Sequence, residues 1–214
     1  MNQTTLSMAD RAYNLIEEMI VTCVLAPGTV FSENELSKTI EIGRTPMREA
    51  LQRLSGEQLL KAMPRRGMMV SEINIASYLR ILETRRVLDR LLAGRAARRA
   101  DDKQKAALAA IANDIINAAE RADMPAFIHV DRELDELLAD ASRNPYAARA
   151  NSSLHAHCRR FWFLNHRSGD LCRSAQLHAA LVTAVATGDE AASEAASDRL
   201  MDYLEEFTKA TLKH

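Results

Sequence analysis

Residues 31–54 run FSENELSKTIEIGRTPMREALQRL, and two short helices joined by a tight turn are written into this stretch. Ser32 followed three positions later by Glu35 is a capping-box pattern: the hydroxyl accepts from the backbone N–H at the third helical position, and the carboxylate accepts from the N–H of the cap. Leu36 and Ile40 follow at helical spacing and are expected to face inward, with Gly43 making the turn. The next helix is expected from about Thr45 to Gly56. Pro46 is tolerated in its first turn, where the N–H would be unpaired in any case. Met47, Ala50, Leu51 and Leu54 share one face, and Arg44, Arg48 and Arg53 lie on the outward one.

Working outward, Ala12, Ile16, Ile20 and Val24 recur at helical spacing within residues 9–25, and Leu25-Ala26-Pro27-Gly28 closes that helix. On the other side, Leu59-Leu60-Lys61-Ala62-Met63 and Met68-Met69-Val70-Ser71 are short strand-like runs around Pro64-Arg65-Arg66-Gly67, which predicts a hairpin. Three short helices and a hairpin with a basic tip make the plan of a winged helix-turn-helix over residues 1–70. Residues 71–75 are the expected linker. Beyond them the pattern stays helical, with helices expected near 76–99, 102–122, 124–142, 145–167, 170–187 and 189–212, an all-α bundle over 76–214. The fold class is therefore mainly α, a winged helix-turn-helix followed by a helical bundle.

Composition agrees. With 214 residues, 47% of them apolar, and only 7 Gly and 5 Pro, disorder and collagen-like repeats are excluded. Lys and Arg number 28 against 29 Asp and Glu, so no global charge draws the chain to nucleic acid or to an acidic membrane, and any nucleic-acid site must be local. Cys23, Cys158 and Cys172 form no CxxC spacing, which fits core thiols in a reducing compartment. The first twenty residues lack the pattern of a signal peptide, and no apolar run approaches a membrane span. The expectation is a cytoplasmic protein with no membrane partner.

Residues 1–70 hold eight basic and eight acidic side chains, but five of the eight basic ones fall on the third helix and the hairpin tip. Arg44 and Arg48 stand one turn apart, as a helix entering the major groove requires for contacts to guanine edges and phosphates. Thr45 can donate to a phosphate beside free backbone N–H groups, and Arg66 next to Gly67 could reach the minor groove. A single domain of this kind makes few phosphate contacts, so dimerisation is expected to add affinity and to set the half-site spacing of a palindromic duplex.

The run Leu25-Ala26-Pro27-Gly28, then Phe31-Ser32-Glu33-Asn34-Glu35-Leu36, then Arg44 to Leu54, then Arg66-Gly67, resembles the GntR-family pattern in order and spacing. The resemblance implies operator DNA as partner and a DNA-contacting set of Ser32, Asn34, Arg44, Thr45, Arg48, Arg53, Arg66 and Gly67. Gly43 stands where that family often has Ser, and Gln58 where it usually has Gly. The remaining chain resembles the FCD effector domain of the FadR-like subgroup, through Glu83-Thr84-Arg85-Arg86-Val87-Leu88-Asp89, Asp131-Arg132-Glu133-Leu134-Asp135, Asn144-Pro145-Tyr146, and His178 followed by Gly188-Asp189.

Such domains are implied to bind a small organic acid, many of them through a divalent metal held by one Asp and three His. Asp131 and His178 match that set, whereas Asp135 and Leu200 replace two of its imidazoles. Asp131, Asp135 and His178 remain the candidate ligands for Zn, Mn or Mg. Helical spacing puts His155, Arg159 and Trp162 on roughly one face and Arg160 and Phe163 on another. Arg159 is thus the preferred fork for a carboxylate, Arg85 a second, and the aromatics suit a cyclic body. The expected effector site is Arg85, Asp131, Asp135, Arg159 and His178. The expected function is a ligand-responsive transcription regulator, a dimeric repressor and not an enzyme. Its rivals are a ligand-independent DNA-binding dimer and a metal-dependent helical-bundle enzyme.

Overall fold

The computed structural model describes residues 6–167 and 169–211, and the chain forms two compact units, residues 1–74 and 75–214. The first contains α1 (Met8–Val21), β1 (Val30–Phe31), α2 (Glu33–Thr39), α3 (Arg44–Gly56), β2 (Leu60–Met63) and β3 (Gly67–Val70). Ala12, Ile16 and Ile20 of α1 and Met47, Ala50 and Leu54 of α3 are each wholly buried, so the apolar faces written in the sequence form the core between these helices.

Several boundaries differ from expectation. Helix α1 stops at Val21, because Cys23 takes a left-handed backbone (φ 58°) and the Leu25 N–H turns back to donate to the Met19 carbonyl at 2.9 Å. Leu25 is thereby tucked in, and Val24 is left 70% exposed rather than facing the core. The Ser32–Glu35 capping box forms. The turn after α2, however, is made by Glu41 (φ 54°), while Gly43 sits in extended backbone as the cap of α3. Ile42, not Ile40, is the buried residue there.

The hairpin turns as expected, with Pro64 and a left-handed Arg65 (φ 64°) at its corners and the Arg66 N–H donating to the Met63 carbonyl at 3.0 Å, the arrangement of a type II turn. It is not a lone hairpin: β1, two residues long, pairs with β3 to give an antiparallel sheet of order β1-β3-β2, with Phe31 opposite Met68. Gly67 makes that third strand possible. Its φ is +100°, and a Cβ there would lie 2.2 Å from the Phe31 carbonyl oxygen.

The second unit is α4 (Ile75–Arg99), α5 (Asp102–Glu120), α6 (Met124–Ser142), α7 (Pro145–Asn165), α8 (Asp170–Thr187) and α9 (Glu190–Thr211). Position 212, the expected end of the last helix, lies outside the described residues. Side chains at Asp101, Asp123 and Asn144 cap α5, α6 and α7, and proline opens α6 and α7 in the tolerated first turn. Helix α4 lies along α9 and α5 along α8. An ion-pair zipper joins the first two: Arg86 meets Asp202 (2.8 Å) and Glu205 (2.9 Å), Arg90 meets Glu194 (2.7 Å), and Arg95 meets Glu190 (3.0 Å). Of the three cysteines, all free, only Cys158 is buried. Cys23 is half-buried and Cys172 exposed, so the expectation of three core thiols holds for one. Among the described residues, no helix is long and apolar enough to cross a membrane.

Candidate functional site

In the first unit, no side chain caps the N-terminus of α3, so the N–H groups of Arg44 and Thr45 lack an intrahelical acceptor. Both residues are exposed, and among the described residues Arg44 enters no ion pair. Arg48, one turn on, is 67% exposed and reaches across to Glu33 of α2 at 3.2 Å. Asn34 and the hairpin-tip Arg66 are exposed. Three of the sequence candidates have close intramolecular neighbours. Arg53 points to α1, with its guanidinium 2.7 Å from Asp10 and stacked 4.2 Å over the Tyr13 ring, so it ties two helices together. The Ser32 hydroxyl is engaged with Glu35. Gly67 has an intramolecular reason to be glycine in the Phe31 contact.

In the second unit, seven charged or imidazole side chains from four helices line up inside the bundle, alternating in sign. Arg85 Nε and Nη2 donate to Asp89 Oδ2 at 3.0 and 2.9 Å. Asp89 Oδ1 lies 3.0 Å from His155 Nε2 and also accepts from the Asn151 amide. His155 Nδ1 contacts Asp135. Asp135 accepts from Arg159 Nη1 at 2.6 Å, and the same nitrogen lies 3.6 Å from Asp131. Asp131 in turn meets His178 Nε2 at 3.0 Å, while His178 Nδ1 faces the Ser174 carbonyl at 2.8 Å. Arg85, His155, Arg159 and His178 are all buried. A buried charge is tolerated only when it is paired and hydrogen-bonded, and the alternation meets that requirement at every step.

The titration of these groups follows. Burial would raise the Asp131 carboxyl, but the hydrogen bond and charge of His178 and the charge of Arg159 hold it well below the usual carboxylate range. Burial likewise opposes ionisation of Asp89 and is outweighed by Arg85 and then His155, so this carboxyl too is strongly lowered. For His155, burial and the nearby Arg85 favour the neutral ring, yet Asp135 and Asp89 overcome them and the pKa rises. For His178, burial is overcome by Asp131 and the Ser174 carbonyl, again raising the pKa.

Two small, part-open voids of about 30 Å³ each flank this ladder, and Arg85 and His178 line both. Leu200 walls one and Trp162 the other. Each void has room for little more than a water molecule or two. The remaining aromatics are packed on one another, Phe161 against Tyr78 at 4.0 Å and Trp162 against Phe127 at 5.2 Å. Arg160, expected on another face from Arg159, is buried as well.

All five effector-site candidates therefore come together, and the ladder adds Asp89, His155 and Asn151. The sequence carried a signal for the first two, since Asp89 stands four positions after Arg85 and His155 four before Arg159. Of the expected metal ligands, Asp131 and His178 meet each other directly at 3.0 Å. Among the described residues no group of three or more His, Cys, Asp or Glu is placed to hold a metal ion, because Asp135 is taken up by Arg159 and His155 and because Leu200 offers no donor.

An uncapped, arginine-bearing helix beside a β-wing, followed by a bundle of six helices around buried charge, defines a winged helix-turn-helix protein with a helical companion unit. The comparisons agree. The pattern of "Bacterial regulatory proteins, gntR family" matches residues 8–70, and that of the FCD domain matches residues 80–203. The chain belongs to the GntR family, in the group that carries an FCD domain. It is similar to the HTH-type transcriptional repressor RspR of Escherichia coli (strain K12), with 31% identity over 59% of this chain and 55% of that protein. It thus spans about half the length of the curated relatives it matches in this way. Similarity is broader to the fatty acid metabolism regulator protein of Escherichia fergusonii, at 32% identity over 78% of this chain and 82% of that one. Among solved structures, E. coli McbR/YncC shares the fold, with a TM-score of 0.85 over 97% of this chain and 100% of that one at 18% identity.

Proposed function

We propose that this chain is a sequence-specific DNA-binding transcription regulator, a repressor and not an enzyme, acting in the cytoplasm as a homodimer on a palindromic operator. Residues 1–70 contact DNA, 71–75 link, and 76–214 dimerise and take a small organic carboxylate that changes operator affinity. The observation that carries the reading is the α3 N-terminus, where Arg44, Thr45 and two unpaired N–H groups are exposed together with Arg48. Arg66, Asn34, Ser32 and Gly67 lie on the segments flanking that helix, and Arg53 supports it from behind. The names of the relatives support regulation of transcription. Footprinting on the DNA upstream of the chain's own gene tests this: Arg44→Ala and Arg48→Ala each lose protection, and wild-type affinity in both variants would refute it.

The ladder supports a carboxylate effector, since its two cationic end members, Arg85 and His178, line both voids. Ligand modulation requires that the acid bind one dimer geometry better than the other. A second reading, a DNA-binding dimer without an effector, is favoured by one observation: the voids are small and the charges already paired. A thermal-shift series with organic acids separates the two, because an acid that binds the folded state raises the midpoint with its concentration.

A further inference from the structure

The place between Asp131 and Asp135 is where the family resemblance puts a divalent cation, and the donors there do not fit one. Asp131 and His178 do keep the geometry of two ligands, with His178 Nδ1 held by the Ser174 carbonyl as the outer nitrogen of a ligating imidazole usually is. The set stops at two. Asp135 is engaged by His155 Nδ1 and by Arg159. Leu200 stands, aliphatic, in the wall shared with Asp135 and His178. Most tellingly, a guanidinium already lies between the aspartates, 2.6 Å from one and 3.6 Å from the other. Its side chain is only 8% exposed, and it cannot deprotonate to make way for another cation.

We propose that Arg159 is the resident cation of this cavity: its guanidinium takes the place of a metal ion between Asp131 and Asp135, and the helical unit folds without metal. Two carboxylates one turn apart in a buried setting need a counter-charge. A guanidinium from α7 meets that need with N–H donors in place of coordination bonds. The substitutions then form one consistent set. An aspartate neutralises an arginine where an imidazole could only accept a hydrogen bond, and once coordination is dispensed with, Leu200 needs no donor atom and packs apolar surface instead.

The test uses the full chain and is independent of the DNA-binding reading. Protein stripped with a chelator is loaded with Zn²⁺ or Mn²⁺, desalted, assayed for metal, and melted with and without each ion. Wild type is expected to retain no stoichiometric metal and to melt at the same temperature throughout. One retained equivalent, with a midpoint raised by about 5–10 °C at a hundredfold excess over Kd, would overturn the proposal. Arg159→Met, which keeps the stem and removes the charge, is expected to gain a metal-dependent rise in midpoint, and Arg159→Lys to stay indifferent to metal. A folded Arg159→Met that ignores metal refutes the replacement. If that variant does not fold with or without metal, the lysine variant decides: folded and metal-indifferent supports the proposal, metal-retaining overturns it.

Discussion

Replacing Gly67 by alanine separates two explanations of that glycine, a close approach to DNA and a close approach to β1. The structure puts a Cβ at this position 2.2 Å from the Phe31 carbonyl oxygen, and the backbone φ of +100° disfavours any L side chain. The dihedral alone costs about 1–2 kcal/mol. The overlap exceeds an ångström and involves backbone, so β1 must leave β3. That releases the Val30–Met69 and Phe31–Met68 pairings and strains the adjoining bond in which the Val70 N–H donates to the Thr29 carbonyl at 2.9 Å. Two or three hydrogen bonds at about 1 kcal/mol each bring the total to roughly 3–5 kcal/mol, a large share of what holds a small domain together. Hydrogen exchange of the full chain reads this directly: amides of residues 67–70 should exchange about a hundredfold faster or more, while those of α5 and α8 are unchanged. Gly56→Ala is the control, since nothing lies within 4 Å of a Cβ there and the site is helical; it should stabilise by up to about 1 kcal/mol. If Gly67→Ala exchanges like wild type and only its DNA affinity falls, the sheet argument is wrong.

Arg53→Ala should lower the urea midpoint of the first unit, with about 0.5–1 kcal/mol attributable to the lost stacking on Tyr13; a loss of DNA affinity with no loss of stability would return Arg53 to the DNA-contacting set. Arg86→Ala, which removes the partner of Asp202 and Glu205, should cost no more than about 1 kcal/mol and less at high salt, because the pairs are partly solvated; a salt-independent loss would point to packing instead.

The second unit should also have a stability maximum in mildly acidic solution. His155 and His178 are raised above their ordinary 6.5, so their contribution is full below that pH and is lost as pH rises through the folded-state values. Asp89 and Asp131 are lowered from 3.8, so theirs is full above that pH and is lost as pH falls towards the folded-state values. Thermal midpoints measured across pH should fall on both sides of roughly pH 4–6.5, and His155→Gln should shrink the alkaline fall; an unchanged alkaline limb in that variant would refute the assignment.

Where the fold was legible in sequence, the signal was periodic and local. The α3 face Met47, Ala50, Leu51, Leu54 and the Ser32–Glu35 box depend on residues three and four apart, and both form as expected. Strand β1 is two residues long and exists only because β3 is there to pair with it, so no local pattern could announce it. The early stop of α1 and the turn at Glu41 rest on left-handed backbone at residues other than glycine, at Cys23 and Glu41, where composition gives no warning. Arg53 is exposed, as helical spacing around α3 predicts, but that spacing gives no sign of the neighbours that Asp10 and Tyr13 supply from α1.

The cavity residues show the same division at the level of charge. Spacing brought Asp131 and Asp135 to one face of α6, and His155 and Arg159 to one face of α7, but whether two carboxylates hold a metal or an arginine depends on which cation the opposite helix delivers. Here α7 delivers a guanidinium within 2.6 Å. Once that charge is in place the order of the ladder is largely determined, because each buried group must next meet one of opposite sign. Asp135 turns to His155, His155 to Asp89 and Asp89 to Arg85, while Asp131 turns to His178. The two ends, Arg85 and His178, are the cationic members that line both voids. An anion admitted at that point would extend the alternation rather than break it, which is the electrostatic reason why the effector proposed above is an acid rather than a base or a neutral body.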